Sequence, residues 1–175
     1  MMTTFITFLL QNFSLTFFVI GLIVSIFAMI MSAETLNKQG VIESLITWFI
    51  FFSIGVSYLY NGIVHTVFSE VSAQIIGWPD SPFQQEVGFA SLGFALIGFI
   101  AFKGSWQTRL CAIAGPSCFL LGAAGGHIYQ IITAGNYAPG NAGVVLYADI
   151  LLPVMGWVLL YLSRPSVSLM PTGKG

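Results

Sequence analysis

Apolar residues occupy five long runs of this chain, separated by short polar stretches. The runs cover residues 13–31, 41–68, 83–102, 109–133 and 141–162. About 20 apolar residues in helical conformation cross a bilayer core, and every run is near or above that length. The pattern therefore predicts an all-α, polytopic membrane helix bundle, with residues 1–175 forming a single integral membrane domain.

The composition agrees with the pattern. Hydrophobic residues make up 57% of the chain and charged residues 6%, whereas about a quarter of the residues in a soluble domain are charged. The net charge of −1 argues against a nucleic-acid-binding role. We expect the lipid bilayer as the surroundings, a membrane-protein partner subunit as a possible associate, and a function that resides inside the bundle or at one of its ends.

The positions of the basic residues predict the orientation. All of them lie between the first and second runs, between or at the edges of the third and fourth, or after the fifth: Lys38, Lys103, Arg109, Arg164 and Lys174. Because Lys and Arg are enriched in cytoplasmic loops, we expect the N-terminus outside and the C-terminus inside. In a bacterium this would be the cytoplasmic (inner) membrane.

A polar stripe follows the second run at intervals of four residues. It consists of Ser53, Ser57, Asn61, His65 and Ser69. Residues four apart share one face of a helix, and polar groups facing lipid are costly. The stripe is therefore expected to face the bundle interior. On the fourth run, Ala114, Cys118, Gly122 and Gly126 form a ladder of small residues that predicts close helix packing.

The segment between the second and third runs carries a helix-start signal. Ser81 is predicted to cap the third helix, with Pro82 in its first position and Gln84 completing a capping box. Trp78, just before it, is interpreted as an anchor at the outer headgroup level, with Trp106 as its counterpart at the inner level.

Four ionisable residues are predicted roughly 5 to 12 Å below the outer surface: His65, Glu86, His127 and Asp149. Polar neighbours that could join them are Asn61, Gln85 and Gln130. Ionisable groups at such depth usually turn inward and pair. Three readings stay open: a site for a divalent transition metal held by the four ionisable residues, a proton relay or polar-ligand site, and His-carboxylate pairs that only hold helices together.

The chain resembles the DoxX-like small membrane proteins and a related uncharacterised family of small bacterial membrane proteins. The resemblance rests on Trp78-Pro79, on the Ser81-Pro82-Phe83-Gln84-x-Glu86-x-Gly88 run, on Gly93 and Gly98, and on Gly126-His127. It implies a four-helix core in a bacterial cytoplasmic membrane, here preceded by one extra N-terminal helix. It also implies that Glu86 and His127 contribute to the functional site.

The function expected from these features is that of a binding, transport or accessory-subunit protein with a buried polar site opening to the outer side. One alternative is a component of a membrane oxidoreductase that uses a quinone or a metal. Another is a purely structural membrane subunit. No catalytic constellation stands out in the sequence, so no catalytic residue is assigned and the question of enzymatic activity stays open.

Overall fold

A computed structural model describes residues 2–32 and 37–165, with side chains from residue 7 onward. The described regular structure is helical and contains no strand. In chain order the elements are α1 (Met2–Gln11), α2 (Phe13–Met31), α3 (Lys38–Phe49), a π-helical segment (Ile50–Val56), α4 (Ser57–Val67), α5 (Ser69–Ile76), α6 (Phe83–Ala101), α7 (Trp106–Ala134), α8 (Pro139–Ala142) and α9 (Val144–Leu162).

Five membrane-crossing helices are confirmed in number and approximate position. The helices long and apolar enough to cross are Phe13–Met31, Lys38–Val67, Phe83–Ala101, Trp106–Ala134 and Pro139–Leu162. We call them the first to fifth spans. The second and fourth are longer than the apolar runs because their first turns include polar residues. Three short helices were not predicted: α1 before the first span, α5 after the second, and α8, which precedes α9 within the fifth.

The middle of the second span is a π-helix, over Ile50–Val56. Short π segments inside α-helices are rare and occur frequently at functional sites. Here the segment lies against α6 at a point of backbone contact between two glycines. A Cβ atom on Gly98 would come within 2.6 Å of the backbone nitrogen of Gly55. Side chains at this crossing would therefore force the two helices apart.

Glycines also allow the second span to approach α6 closely about two and three turns beyond Gly55. A Cβ on Gly62 would lie 3.2 Å from the carbonyl oxygen of Gly88, and a Cβ on Gly88 would lie 3.0 Å from the backbone nitrogen of Thr66. Small residues allow such close approach between membrane helices. On the other side of the second span, α2 is held by a hydrogen bond from Ser44 to the carbonyl oxygen of Ser25, 3.1 Å long.

The bundle has two chemically different ends. The end that we call the basic end carries the described basic residues Lys38, Lys103, Arg109 and Arg164, while Lys174 lies outside the described residues. The opposite end, which we call the cavity end, carries α5, α8 and the first turn of α6. The described basic residues, which the sequence placed in alternate loops, therefore lie at one end of the bundle.

Arg109 at the basic end is not a loop residue but a buried member of α7, 6% exposed. Its guanidinium donates to both carboxylate oxygens of Glu43, at 2.8 and 2.5 Å. It also donates to the hydroxyl of Thr47 and to the carbonyl oxygen of Phe102. This ion pair ties the start of α7 to α3. Nearby, the indole of Trp106 donates to the carbonyl oxygen of Leu160, which fixes α7 to the end of α9.

Candidate functional site

A cavity of about 850 Å³ extends from the middle of the bundle to the cavity end. Four members of the polar stripe line it: Ser53, Ser57, Asn61 and His65. Ser53, Ser57 and His65 are buried. The expected inward orientation of the stripe is thus confirmed for these residues, while Ser69 does not line the cavity. Most of the remaining wall is apolar, and α1, α4, α5, α7 and α9 all contribute to it.

The fourth and fifth spans bring His127 and Asp149 together on this wall. Nε2 of His127 lies 3.5 Å from Oδ2 of Asp149, and both side chains are less than a tenth exposed. Asn141, which is fully buried, lies on the other side of the imidazole. Its Oδ1 is 2.8 Å from Nδ1 of His127 and accepts a hydrogen bond of 2.9 Å from the indole of Trp78.

The hydrogen bonds of Asn141 determine where His127 carries its hydrogen. The amide nitrogen of Asn141 donates to the carbonyl oxygens of His127 and Asn136, at 3.2 and 2.9 Å, so its oxygen must be the atom that faces the imidazole. An amide oxygen only accepts, and Nδ1 of His127 is therefore the donor. Nε2 then faces Asp149. Two lone pairs would repel in this buried position, so the pair is expected to hold one proton between them, on Nε2 of His127 or on the carboxyl group of Asp149.

A second polar group on the wall surrounds His65. Nδ1 of His65 lies 2.6 Å from the side-chain oxygen of Gln84, and the hydroxyl of Ser72 lies 3.2 Å from Nε2. The predicted capping box is wrong: α6 starts at Phe83 without a side-chain cap. Gln84 turns toward the cavity, because its amide satisfies a buried imidazole there. Below this group, Asn61 donates to the hydroxyl of Ser91 at 2.9 Å.

The structure does not bring all predicted site residues together. Glu86 and Gln85 are exposed on α6 and do not line the cavity. Their positions in the first turn direct them away from the second span, while Gln84 faces it. Gln130 is half-buried and also lies off the cavity wall. Of the four ionisable candidates, His65, His127 and Asp149 line the cavity.

A four-ligand metal site was one of the three open readings, and the described side chains are not arranged as that reading requires. Among the described residues, no three His, Cys, Asp or Glu side chains are grouped so that they could hold a metal ion. The reason is geometric. Glu86 is exposed on α6, and His65 is bonded to Gln84 rather than to the pair of His127 and Asp149.

Three of the four residues in the small-residue ladder of the fourth span line the cavity, while Ala114 does not. Cys118, Gly122 and Gly126 line the cavity, and a Cβ atom on Gly122 would meet nothing within 4 Å. One turn further along, a Cβ on Gly126 would lie 3.3 Å from the ring of Trp78. Because the residues on this face are small, they leave the space that the cavity occupies, and the ring of Trp78 lies against the face at Gly126.

Trp78, which was predicted only as an anchor at the membrane surface, is also part of the cavity wall and of the hydrogen-bonded group around His127. Its ring lies 5.4 Å from the imidazole of His127, its indole nitrogen donates to Asn141, and it lines the cavity. The turn that carries it is possible because Gly77, which ends α5, adopts a left-handed conformation with φ of 73°.

The model of a family of unknown function, DUF6790, matches residues 11–168 of the chain. The chain belongs to this family. No curated protein and no solved structure gives a significant match. The matched region contains all five spans and both polar groups of the cavity wall.

Four residues of the two polar groups on the cavity wall were not among the sequence candidates: Ser72, Gln84, Asn141 and Trp78. Gln84 was assigned to a cap, and Trp78 to the membrane interface. Asn141 was taken only as the first residue of an apolar run, although it supplies the hydrogen bonds that orient His127. A signal was present, because a buried Asn near the end of a span must find several partners. Which partners it finds depends on how α8 is placed beside α7.

Proposed function

We propose that this protein binds a small, largely apolar molecule with a polar head inside its cavity, as a binding or transport protein or as an accessory subunit that presents the molecule to a partner. The cavity itself carries this proposal. Its volume of about 850 Å³ falls within the roughly 300 to 1,000 Å³ typical of ligand sites. Such sites combine an apolar wall with a few convergent polar groups, as found here.

One polar atom of the wall supports a ligand or water as occupant. The hydroxyl of Ser53, in the π segment, is buried and has no hydrogen-bond partner among the described residues. It lines the cavity at its inner limit. A buried hydroxyl without a partner is unfavourable, and a molecule that fills the cavity would supply one. Ser53 and the group around His127 therefore offer hydrogen bonds to a bound molecule at two different depths in the cavity.

We place the cavity end on the outer side of a bacterial cytoplasmic membrane, following the distribution of Lys and Arg. Thiol labelling of intact cells tests this orientation after replacement of Cys111 and Cys118, both of which are exposed. A Cys in place of exposed Asp80 should react with a membrane-impermeant reagent, and a Cys in place of exposed Gln107 should not. Labelling at Gln107 alone would reverse the orientation.

The binding proposal is tested by filling the cavity. Gly122 and Gly125 both lie in α7 and both have open space around a Cβ, but only Gly122 lines the cavity. Native mass spectrometry in mild detergent should find a co-purifying small molecule on the wild-type protein and on Gly125→Phe, and a loss of it in Gly122→Phe. Both variants gain similar helix propensity, so differences in folding are matched. Equal retention in the two variants, or a protein without any bound molecule, would contradict the proposal.

A second candidate is an accessory component of a membrane oxidoreductase that binds a quinone, in line with the DoxX-like resemblance. The shared proton of His127 and Asp149 favours it, because reduction of a quinone consumes protons together with electrons. The same purified protein distinguishes the two. An extract with a quinone absorption band that changes on chemical reduction would favour this second candidate, and elemental analysis would reveal a bound transition metal. A colourless extract without either favours a ligand of another class.

A further inference from the structure

The cavity wall carries an acidic side chain and no basic Lys or Arg among its described lining residues. Asp149 is the one acidic side chain among these residues. The basic side chains that the structure describes lie at the opposite end of the bundle, where Arg109 is already paired with Glu43. An anion in the cavity would find no permanent positive charge, whereas a cation would find a buried carboxylate.

Aromatic rings occupy the same wall. The cavity is lined by Trp78, Tyr58 and Phe119, and the last two lie in edge contact with their centroids 6.0 Å apart. The faces of such rings attract cations, most strongly where water is excluded. A carboxylate combined with aromatic rings in an apolar cavity is the chemistry that recognises a lipophilic organic cation, such as a quaternary ammonium or phosphonium.

Asp149 is not free to receive a cation while the proton it shares with His127 is present. With that proton, the pair is neutral overall, whether the proton resides on the carboxyl or on the imidazole. Loss of the proton leaves a carboxylate beside a neutral imidazole, with a net charge of −1. Nδ1 of His127 keeps its hydrogen in both states, because it donates to Asn141.

We infer, building on the proposed ligand-binding function, that the cavity binds a lipophilic monovalent cation in exchange for the single proton shared by His127 and Asp149. The exchange balances in charge. Before binding, the pair of His127 and Asp149 is neutral and the cation is in solution. After binding, the carboxylate and the cation form an ion pair and one proton has been released to water. The other ionisable groups on the wall are His65, Cys118, Tyr58 and Tyr60. His65 is bonded to Gln84 and Ser72, so it is separate from this exchange.

The test uses a pair of probes matched in size and shape but opposite in charge, tetraphenylphosphonium and tetraphenylborate. Their binding is measured by equilibrium dialysis against the full chain in nanodiscs of zwitterionic lipid, with empty nanodiscs subtracted. The phosphonium should bind saturably and the borate should not. Its affinity should rise about tenfold per pH unit over the range in which the pair holds its proton, because one proton is released per cation bound.

Two variants locate the exchange. Asp149→Asn should lower the phosphonium affinity at least about tenfold and abolish its pH dependence, while Asp80→Asn, an exposed acid at the same end of the bundle, should leave both unchanged. If Asp149→Asn does not fold, the cation exchange is still tested on the wild-type protein by its preference for the phosphonium over the borate and by the pH dependence of its phosphonium affinity. Equal binding of both probes, or no phosphonium binding, would overturn the cation exchange. The co-purification test with Gly122→Phe would then still judge the proposed function separately.

Discussion

Two buried polar groups at opposite ends of the bundle differ in what surrounds them. At the basic end, the buried guanidinium of Arg109 is held by the half-exposed carboxylate of Glu43, by Thr47 and by a backbone carbonyl, and it does not line the cavity. At the cavity end, His127 and Asp149 approach each other only to 3.5 Å and border open space of about 850 Å³.

This difference separates a structural polar group from a candidate functional one. A buried charge whose hydrogen bonds come from several elements holds those elements together, and little room is left for a ligand. A buried acid with a loose partner beside a cavity keeps the ability to exchange a proton or bind another molecule. Mutations at the first group should therefore change stability, and mutations at the second should chiefly change binding.

The largest effect on stability is expected for Glu43→Gln. The substitution leaves the buried charge of Arg109 without its counter-charge, which should lower the free energy of unfolding by about 2 to 3 kcal/mol, less than for a fully buried pair because the Glu43 side chain is half-exposed. Thermal unfolding in detergent measures this change, and the binding of a phosphonium probe to the remaining folded protein should be unaltered. Glu70→Gln, an exposed acid in the first turn of α5, serves as the control. Equal stability of the two variants would show that the ion pair of Arg109 and Glu43 contributes little.

Asn141→Ala should have the next largest effect and should change both properties. It removes the partner of the Trp78 indole, of Nδ1 of His127 and of two carbonyl groups. Unsatisfied buried groups of this kind cost about 2 kcal/mol in total after partial rearrangement. Because His127 loses its orientation, phosphonium affinity should fall as well. The control is Asn12→Ala, at a half-buried position off the cavity wall, where only one hydrogen bond, to the carbonyl oxygen of Phe8, is lost among those described. A stable Asn141→Ala variant with normal binding would contradict the role of Asn141 in positioning His127.

The fold was predictable from the sequence to a large extent because hydrophobic length and the positions of Lys and Arg are local properties. Five spans follow from them, and so does the clustering of His65, His127 and Asp149 near one end. The packing of α6 against the second span was not predictable, because it depends on Gly55 and Gly98 meeting in space. The same applies to the ladder at Gly122, whose sequence pattern is equally compatible with helix contact and with a cavity.

His127 should respond differently to its two amide substitutes. The side-chain nitrogen of Asn is three bonds from Cα, like Nδ1 of His, whereas that of Gln is four bonds away, like Nε2. His127→Asn should keep the hydrogen bond to Asn141 and unfold near the wild-type temperature. His127→Gln should be less stable by about 1 kcal/mol, since it loses that bond. Thermal unfolding of both variants measures the difference, and the reverse order would place the critical contact on the side of Asp149.

In both His127 variants the proton can no longer be shared with an imidazole, so the pH midpoint of phosphonium binding should shift from that of the wild-type protein. Dialysis over a pH series measures the midpoint. An unchanged midpoint in a folded His127→Asn protein would mean that Asp149 exchanges its proton without His127.

The smallest expected effect on stability is that of Ser53→Ala. The hydroxyl has no described hydrogen-bond partner, so its removal should change the free energy of unfolding of the ligand-free protein by less than about 0.5 kcal/mol. Ser25→Ala provides the contrast, because the hydroxyl of Ser25 donates to Ser44 across a helix contact. Ser53→Ala should nevertheless lower the amount of the co-purifying molecule if that molecule reaches the inner limit of the cavity. Unchanged co-purification would restrict the occupant to the region around His127, and a marked loss of stability would show that Ser53 supports the π segment rather than a ligand.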